Sequence, residues 1–325
     1  MKSALTIFML VAVSVLAGCG GPVREKELFT VNFQKGQTLR YKFASSRNVE
    51  INWGQVKGGS KRGKDKVDKS RESMDMVVAY TPIEVGPYGA FTTIKATCES
   101  VKIRRSKGPK QDAVKSLAGK SFTFTVDATG KIEDYSQLDE LIKETGKKAF
   151  QTGTKKRRIK DPDMIADFIS SQWFLWDSIR SIEKPKEGVL VDQSWKSQLS
   201  VPTPMVTRKA RDVTYTLSEI RETEKGRLAV IKSSYSPSKS APRSWPKPYV
   251  GSFRMKGTFG FLRGFKTVDL QGQGEELFNI DTGQTERHNQ QYEIKLKASL
   301  PLPLPGALPL ITIKQKLTMQ LLKGR

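Results

Sequence analysis

The sequence predicts a mainly β protein of the α+β class. One long curved antiparallel sheet arises from two tandem divergent β repeats and carries one or two helices on its concave face. Three observations support this prediction: long runs in which apolar and polar residues alternate, short segments of the first half that recur in the second, and two helical patterns between the halves. The chain of 325 residues is long enough to bury a large core.

Alternation of apolar and polar residues predicts strands first between Phe29 and Phe33 and then between Leu39 and Trp53. A strand of about 15 residues is about 50 Å long, which favours a long curved sheet over a compact sandwich. Four later runs repeat the alternation, and the last two of them carry lysines on the opposite face, as expected for a sheet with one solvated side. These later runs span 74–80, 122–126, 292–300 and 311–321.

Three short segments of the first half recur in the same order in the second half, which favours a tandem duplication. The offset falls from 156 to 137 between the first two matches, so the first half holds 19 additional residues there. The basic, glycine-rich stretch from Gly54 to Glu72 has this length, and we expect its basic part to be disordered. The matches pair 37–40 with 193–196, 89–97 with 226–234, and 124–127 with 278–281.

Two helices are predicted between the halves. The first lies near 136–146 and places Leu138 and Leu141 on one face. The second spans 162–184 and begins after Asp161, a preferred N-cap residue, with proline at its first position. Its broad aromatic stripe requires a large apolar surface, for which the concave face of the sheet is the candidate. The first repeat then covers residues 28–185 and the second repeat covers 186–325.

The amino terminus has the organisation of an export signal. Lys2 is followed by an apolar run from Ala4 to Val15 and then by Leu16-Ala17-Gly18-Cys19. About 13 apolar residues are too few to cross a bilayer, which takes about 20. The four residues ending at Cys19 resemble the lipobox of bacterial lipoproteins. The resemblance predicts a signal peptide over residues 1–18 and a lipidated tether over residues 19–27.

This resemblance implies a diacylglycerol on the Cys19 sulfur and further acyl chains such as palmitate on the new amino terminus. It places the protein outside the cytoplasm, in the cell envelope, and favours the outer membrane where a cell has two. Cys98 remains as a single cysteine without an intramolecular disulfide partner. Its position in a strand-like run predicts a buried, small apolar side chain rather than a reactive thiol.

The chain is strongly basic, with 56 lysines and arginines against 33 acidic residues. For an exported protein this charge favours anionic lipid or wall polymers as partners rather than nucleic acid. Three basic clusters are candidate contacts, and solvated mobile loops are the equally weighted alternative. The candidate contact residues are Lys61, Arg62, Lys64, Arg104, Arg105, Lys155, Lys156, Arg157 and Arg158.

Phe168, Trp173 and Trp176 lie on the apolar stripe of the second predicted helix. They are candidates for lining a cavity that holds an apolar ligand. The alternative, which base rates favour, is that they pack in an ordinary core.

Catalytic chemistry has little support in the sequence. His288 is the only histidine, so a multi-histidine zinc centre is excluded. Asp127 and Asp281 each precede a Thr-Gly pair, which is typical of a hairpin turn and only superficially similar to an aspartic protease. No catalytic residue, metal or cofactor is therefore assigned.

The body of the chain also resembles an uncharacterised class of β-rich envelope lipoproteins, and its predicted architecture is similar to half-barrel carriers of lipids and lipoproteins. The leading hypothesis is a non-enzymatic, lipid-anchored envelope protein with a binding or structural role, such as holding an apolar or lipid ligand. A cationic scaffold on anionic membrane or wall polymers is the second hypothesis. A carboxylate-dependent hydrolase is the third.

Overall fold

A computed structural model of the protein describes residues 25–53, 67–106, 113–134, 136–137, 140–141, 144, 184–200, 210–239, 262–299 and 308–322. In this part of the chain, eleven antiparallel strands form a single open, curved sheet, which confirms the predicted fold class. The strands are β1 (Leu39–Asn52), β2 (Val67–Val85), β3 (Phe91–Arg105), β4 (Ser121–Asp127), β5 (Ile132–Asp134), β6 (Ser194–Ser200), β7 (Ala210–Thr223), β8 (Gly226–Pro237), β9 (Arg263–Asn279), β10 (Gln284–Ser299) and β11 (Leu310–Leu321).

The first and last strands lie side by side in the middle of the sheet. The strand order is β5-β4-β3-β2-β1-β11-β10-β9-β8-β7-β6, so β5 and β6 form the two edges. The segments that match between the two halves lie on β1 and β6, β3 and β8, and β4 and β9, and corresponding strands run in the same direction. Ile94 and Ile231 are both buried at matched positions, and the lysine that follows each of them is exposed.

The strands bury one face, as their alternation predicts. On β11, Ile311 and Ile313 are buried, whereas Lys314 and Lys316 are exposed. The buried residues of β1 to β4 and β9 to β11 join into one apolar cluster on the inner face of the curve. The outer face is solvated.

The sheet is curled at the end where β4 and β9 terminate. The amide of Val31 donates to the Ala128 carbonyl after β4, and the amide of Asn32 donates to the Gly283 carbonyl after β9, at 3.0 and 3.2 Å. These turns are six strands apart, about 29 Å along the sheet at about 4.8 Å per strand. Val31 and Asn32 are neighbours in the chain, with Cα atoms about 3.8 Å apart. The two turns that they bond to must therefore lie close together. We call this the closed end.

The predicted strand over Phe29–Phe33 is wrong, but Phe29 is buried, as the alternation predicts. The segment lies outside the strands because its amides bond to turns rather than to a neighbouring strand. The Phe29 side chain is 1% exposed and packs edge-to-face on Phe278, with a 5.6 Å centroid separation. Alternation here reflects burial against the closed end, not sheet pairing.

Two further contacts fix the closed end. The amide and carbonyl of Glu27 both pair with Val189, at 2.9 Å in each direction. The amide of Lys184 donates to the Thr129 carbonyl, in the turn that follows β4. The start of the described chain and the entry to the second half therefore meet at one place.

At the opposite end the strands are joined by longer connections. Residues 53–66, 201–209, 238–262 and 300–309 each link strands whose facing ends lie there. The corresponding turns at the closed end are short hairpins such as 224–225 and 280–283. We call this second end the open end.

Two local expectations can be compared with the structure. The basic stretch expected to be disordered is in part a strand, because Val67 to Glu72 belong to β2 and pair with β1 as far as Asn52. The described residues within 136–146 are helical, as predicted, and Leu141 is buried in the main core. The predicted helix over 162–184 lies outside the described residues except for Lys184.

We predict that Gly283→Ala destabilises the protein about 1–3 kcal/mol more than Gly36→Ala does. Both glycines have positive φ, +65° and +81°, so both substitutions incur backbone strain. A Cβ at Gly283 would lie 2.5 Å from the Asn32 amide nitrogen, whereas one at Gly36 meets nothing within 4 Å. Denaturant unfolding of the two variants measures the difference, and equal losses would contradict the contact described at the closed end.

Candidate ligand-binding site

A row of polar and aromatic residues crosses the apolar inner face of the sheet. Its members lie opposite one another on successive strands, so their side chains share one face. We call this row, together with Arg211 and Gln290, the polar belt. The row comprises Arg105, Glu72, Arg47, Gln315, Tyr292, Gly272 and Tyr235.

At one end of the belt, one carboxylate lies between two arginines. Arg47 Nη2 donates to Glu72 Oε1 at 2.9 Å, and Arg105 Nε lies 3.6 Å from Oε2. The three side chains are 4, 17 and 8% exposed. Charges this far from water persist only when they are paired, which explains why these residues lie together on adjacent strands.

At the other end of the belt, Arg211 is completely buried between two aromatic rings. Its guanidinium carbon lies 4.5 Å from the Tyr235 ring centroid and 4.7 Å from that of Tyr292. Arg211 Nη2 donates to Gln290 Oε1 at 2.7 Å. Cation–π contacts of this kind are strongest where water is excluded.

Gly272 allows this arrangement. A Cβ at this position would come within 2.8 Å of the Tyr235 ring and 2.5 Å of the Gln291 carbonyl oxygen. The missing side chain therefore lets β9 approach β10 closely and lets the two tyrosine rings approach each other across β9.

Gln315 lies between Arg47 and Tyr292 in the row and is 3% exposed. Its Oε1 atom accepts no hydrogen bond in the part of the chain that the structure describes. Buried amide oxygens are normally satisfied, so this atom is an exception.

Apolar residues lie on both sides of the belt. Towards the open end lie Val49, Ile313 and Ile294, which face one another on β1, β11 and β10 and are 8% exposed or less. Towards the closed end lie Phe43 and Met319, also opposite each other. The inner face therefore combines a polar centre with apolar surfaces on both sides of it.

A second buried polar group lies near the closed end and has Glu276 at its centre. Lys184 Nζ donates to Glu276 Oε1 at 2.8 Å, and the Thr285 hydroxyl donates to the same oxygen at 2.7 Å. His288 Nδ1 lies 3.7 Å from Oε2, which is too far for a hydrogen bond. Burial alone would raise the pKa of Glu276, but the Lys184 charge and the adjacent His288 lower it to about 2. This ion pair joins the entry of the second half to β9.

Only two of the candidate site residues predicted from the sequence, Arg104 and Arg105, lie in the part of the chain that the structure describes. Arg104 is exposed near the end of β3. Arg105 is corrected from a surface contact to a member of the belt, because its side chain lies beside Glu72. The other candidates fall outside the described residues, namely Cys19, Lys61, Arg62, Lys64, Lys155, Lys156, Arg157, Arg158, Phe168, Trp173 and Trp176.

Cys98 and the two aspartates have structural roles. Cys98 is buried, as predicted, and burial raises the pKa of its thiol to about 12. Asp127 Oδ1 accepts hydrogen bonds from the amides of Thr129 and Lys131, which confirms the turn interpretation. Asp281 Oδ2 instead accepts a hydrogen bond, at 2.8 Å, from the amide of Arg227, which lies on the neighbouring β7–β8 hairpin.

Sequence reasoning missed Arg211, Gln290 and Gln315. The available signal was a polar residue at an inward position of a strand, such as Gln315 between Ile313 and Leu317. The Gly-x-Gly pattern at Gly272 was a second signal, since glycine within a strand often marks close backbone approach.

We predict that Glu276→Gln destabilises the protein by about 3–5 kcal/mol at neutral pH, because it leaves Lys184 buried without its counter-charge. The folded pKa of Glu276, about 2, lies below the ordinary 4.5, so its stabilisation is complete above pH 4.5 and is lost as pH falls towards 2. Unfolding curves between pH 2 and 7 should therefore fall less steeply for the variant than for the wild type.

The matched control is Glu275→Gln, on the same strand but on the other face. Glu275 pairs with Arg287 at 3.3 Å and is 36% exposed, so its loss should cost less than about 1 kcal/mol. Equal effects of the two substitutions would contradict the structural role given to the buried pair.

Comparison with known proteins gives a partial match. Residues 72–232, which extend from β2 into β8, match a family of unknown function, DUF6263. No curated protein matches the sequence significantly. Within the described residues, no helix reaches the length and hydrophobicity of a membrane span. The chain is thus similar, over about half its length, to a family whose function is unknown.

Proposed function

We propose that the protein is a non-enzymatic, lipid-anchored protein of the cell envelope that holds an apolar or lipid ligand on the inner face of its curved sheet. The main observation in its favour is the inner face itself, which is largely apolar and lies on one open sheet that is curled at one end. The resemblance of residues 16–19 to a lipobox supports the anchor.

The amount of apolar surface supports a ligand. In the described part of the chain no second sheet packs against the inner face, and few residues outside the long strands join its core, among them Leu117, Leu141 and Leu262. An apolar face of this size is stable only when it is covered, and its residues are buried in the structure. Under this proposal the predicted helix over 162–184 acts as the cover, with Phe168, Trp173 and Trp176 facing the ligand. Half-barrel lipid carriers provide the architectural analogy.

The engagement of the acidic residues supports a role without catalysis. Glu276 is ion-paired with Lys184, and Asp127 and Asp281 bond to backbone amides. These three carboxylates are therefore engaged in structural contacts, and nothing in those contacts points to acid–base chemistry.

The position of Glu27 supports an orientation of the sheet relative to the membrane. Glu27 is fixed at the closed end, so a tether over residues 19–27 holds that end near the membrane. Strand β1 has 14 residues and extends about 46 Å, so the open end faces away from the anchoring membrane. Arg104, near the end of β3 on that side, then favours wall polymers or an opposing membrane as the partner in the alternative role of a cationic scaffold.

We predict that protein purified from membranes carries a bound apolar lipid, and that Ala298→Trp reduces the amount of this lipid. Ala298 is 2% exposed on the inner face, so the larger side chain occupies space beside Ile311 and Leu296. Solvent extraction and mass spectrometry give the lipid-to-protein ratio. The control is Lys297→Trp, which adds the same side chain to the outer face and should leave the ratio unchanged. Wild-type protein without lipid above a solvent blank would contradict the proposal.

We predict that a palmitate analogue labels the wild type and the Cys98→Ala variant but not the Cys19→Ala variant. The anchor requires the sulfur of Cys19, whereas Cys98 is buried and serves as the control cysteine. In-gel fluorescence after metabolic labelling provides the measurement. An unlabelled wild type, or a labelled Cys19→Ala variant, would exclude the anchor at this position.

A further inference from the structure

We propose that a row of polar residues on the outer face of the sheet binds an acidic polysaccharide chain that lies across the strands. The row is on the face opposite the proposed apolar ligand, so this inference goes beyond the proposed function and does not depend on that ligand. We call it the outer row. Its residues lie opposite one another on nine successive strands, from β3 to β6, and are Arg104, Ser73, Ser46, Lys316, Gln291, Gln273, Ser234, Thr214 and Lys196.

The outer row contains no acidic residue, unlike the rows beside it on the same face. Glu293 belongs to the neighbouring row on one side. Asp75 and Glu275 belong to the neighbouring row on the other side. A polymer with negative charges therefore meets no carboxylate along the outer row, whereas a parallel path on either side would bring like charges together.

The side chains of the outer row are not engaged with the rest of the described chain. None of the nine forms a hydrogen bond or an ion pair within the part of the chain that the structure describes. The neighbouring rows bond internally instead. On one side Arg71 Nε donates to Asn48 Oδ1 at 2.9 Å, and on the other the hydroxyls of Ser194 and Thr216 lie 2.8 Å apart. The donors and acceptors of the outer row are therefore available to a ligand.

The centre of the outer row lies in a groove. Two adjoining concave regions, with volumes of about 460 and 670 Å³, are both lined by Gln273, Gln291 and Lys316. All three side chains are exposed, which places the groove on the outer face. Clefts of about 300–1,000 Å³ are the usual size of ligand sites. The row is thus recessed where its amides and its central lysine lie together.

The chemistry and spacing of the outer row favour an acidic polysaccharide over other polyanions. Serine, threonine and glutamine side chains both donate and accept hydrogen bonds, as sugar hydroxyls do. Lys316 lies three strands from Arg104 and five strands from Lys196, about 14 and 24 Å at about 4.8 Å per strand. Basic groups this far apart match a chain with many neutral hydroxyls better than a polymer with a phosphate at every unit. The whole row is about 38 Å long, which suits an extended oligomer.

Two substitutions in the groove test this inference, each with a matched control. Gln291→Ala removes an amide, and Gln320→Ala is its control. Lys316→Glu reverses a charge, and Lys42→Glu is its control. Lys42 and Gln320 are exposed and lie opposite each other on the outer face, outside the outer row. Because all four positions are exposed, the variants should fold, and their melting temperatures check this.

Fluorescence anisotropy with the full chain in nonionic detergent measures binding of three end-labelled probes. They are a hyaluronan octasaccharide, maltooctaose and a short polyphosphate. The first carries a carboxylate on alternate sugars, the second is a neutral sugar chain, and the third carries charge without sugar. The comparison separates recognition of an acidic sugar chain from attraction by the basic chain as a whole.

We expect the wild type to bind hyaluronan about ten-fold or more tightly than maltooctaose, the effect of hydrogen bonds between charged groups. Lys316→Glu should weaken hyaluronan binding by at least about ten-fold. Gln291→Ala should weaken it about five-fold, the effect of one lost hydrogen bond, and leave polyphosphate binding unchanged. Both controls should bind hyaluronan within about two-fold of the wild type, because Lys42 and Gln320 lie about 13 Å from the row and charges at that distance are screened.

Three results would overturn the inference. The first is a wild type that does not bind hyaluronan, or binds it no more tightly than maltooctaose. The second is an equal loss in Lys316→Glu and Lys42→Glu, which would show attraction by net charge alone. The third is a Gln291→Ala variant that keeps its hyaluronan affinity or loses affinity for both anionic probes. None of these results bears on the proposed function, which copurified lipid and labelling at Cys19 test separately.

Discussion

The architecture depends on the contact between the segment after Glu27 and the turns that follow β4 and β9. An open sheet of eleven strands has no intrinsic reason to bring strands six positions apart into contact. Adjacent amides at Val31 and Asn32 bond to both turns, and Lys184 adds a buried ion pair to β9. These contacts convert a twisted sheet into a curved one with a defined inside. The edges β5 and β6 are short, at 3 and 7 residues, which limits pairing with other chains.

Curvature gives the two faces and the two ends different chemistry. The inside is apolar except at the belt and around Glu276, while the outside carries charged residues such as Lys314 and Lys316. The closed end holds the start of the described chain, and the open end holds the long connections. A single lipid anchor would then fix which end faces the membrane. The ligand binding and the orientation that we propose both depend on this asymmetry.

Much of the fold was predictable because burial on one side of a strand leaves a period of two in the sequence. The same signal misled at Phe29–Phe33, where Phe29 is buried but the backbone bonds to turns rather than to a strand. The recurrence of short segments correctly indicated strands in corresponding places, since Ile94 and Ile231 share burial and direction. The polar belt was not predictable, because it requires the registers that place Arg47, Gln315 and Tyr292 side by side. The first of those registers joins Arg47 to Gln315, which are 268 positions apart in the chain.

The distance between the two turns of the closed end tests the account most directly. Spin labels on cysteines at Lys131 and Thr282, both exposed, report this distance by pulsed electron resonance in a Cys98→Ala background. The account predicts a narrow distribution well below the separation of about 29 Å that an uncurled sheet would give. A distance of about 29 Å or more would show that the sheet has no closed end, and the inner site that depends on it would be excluded.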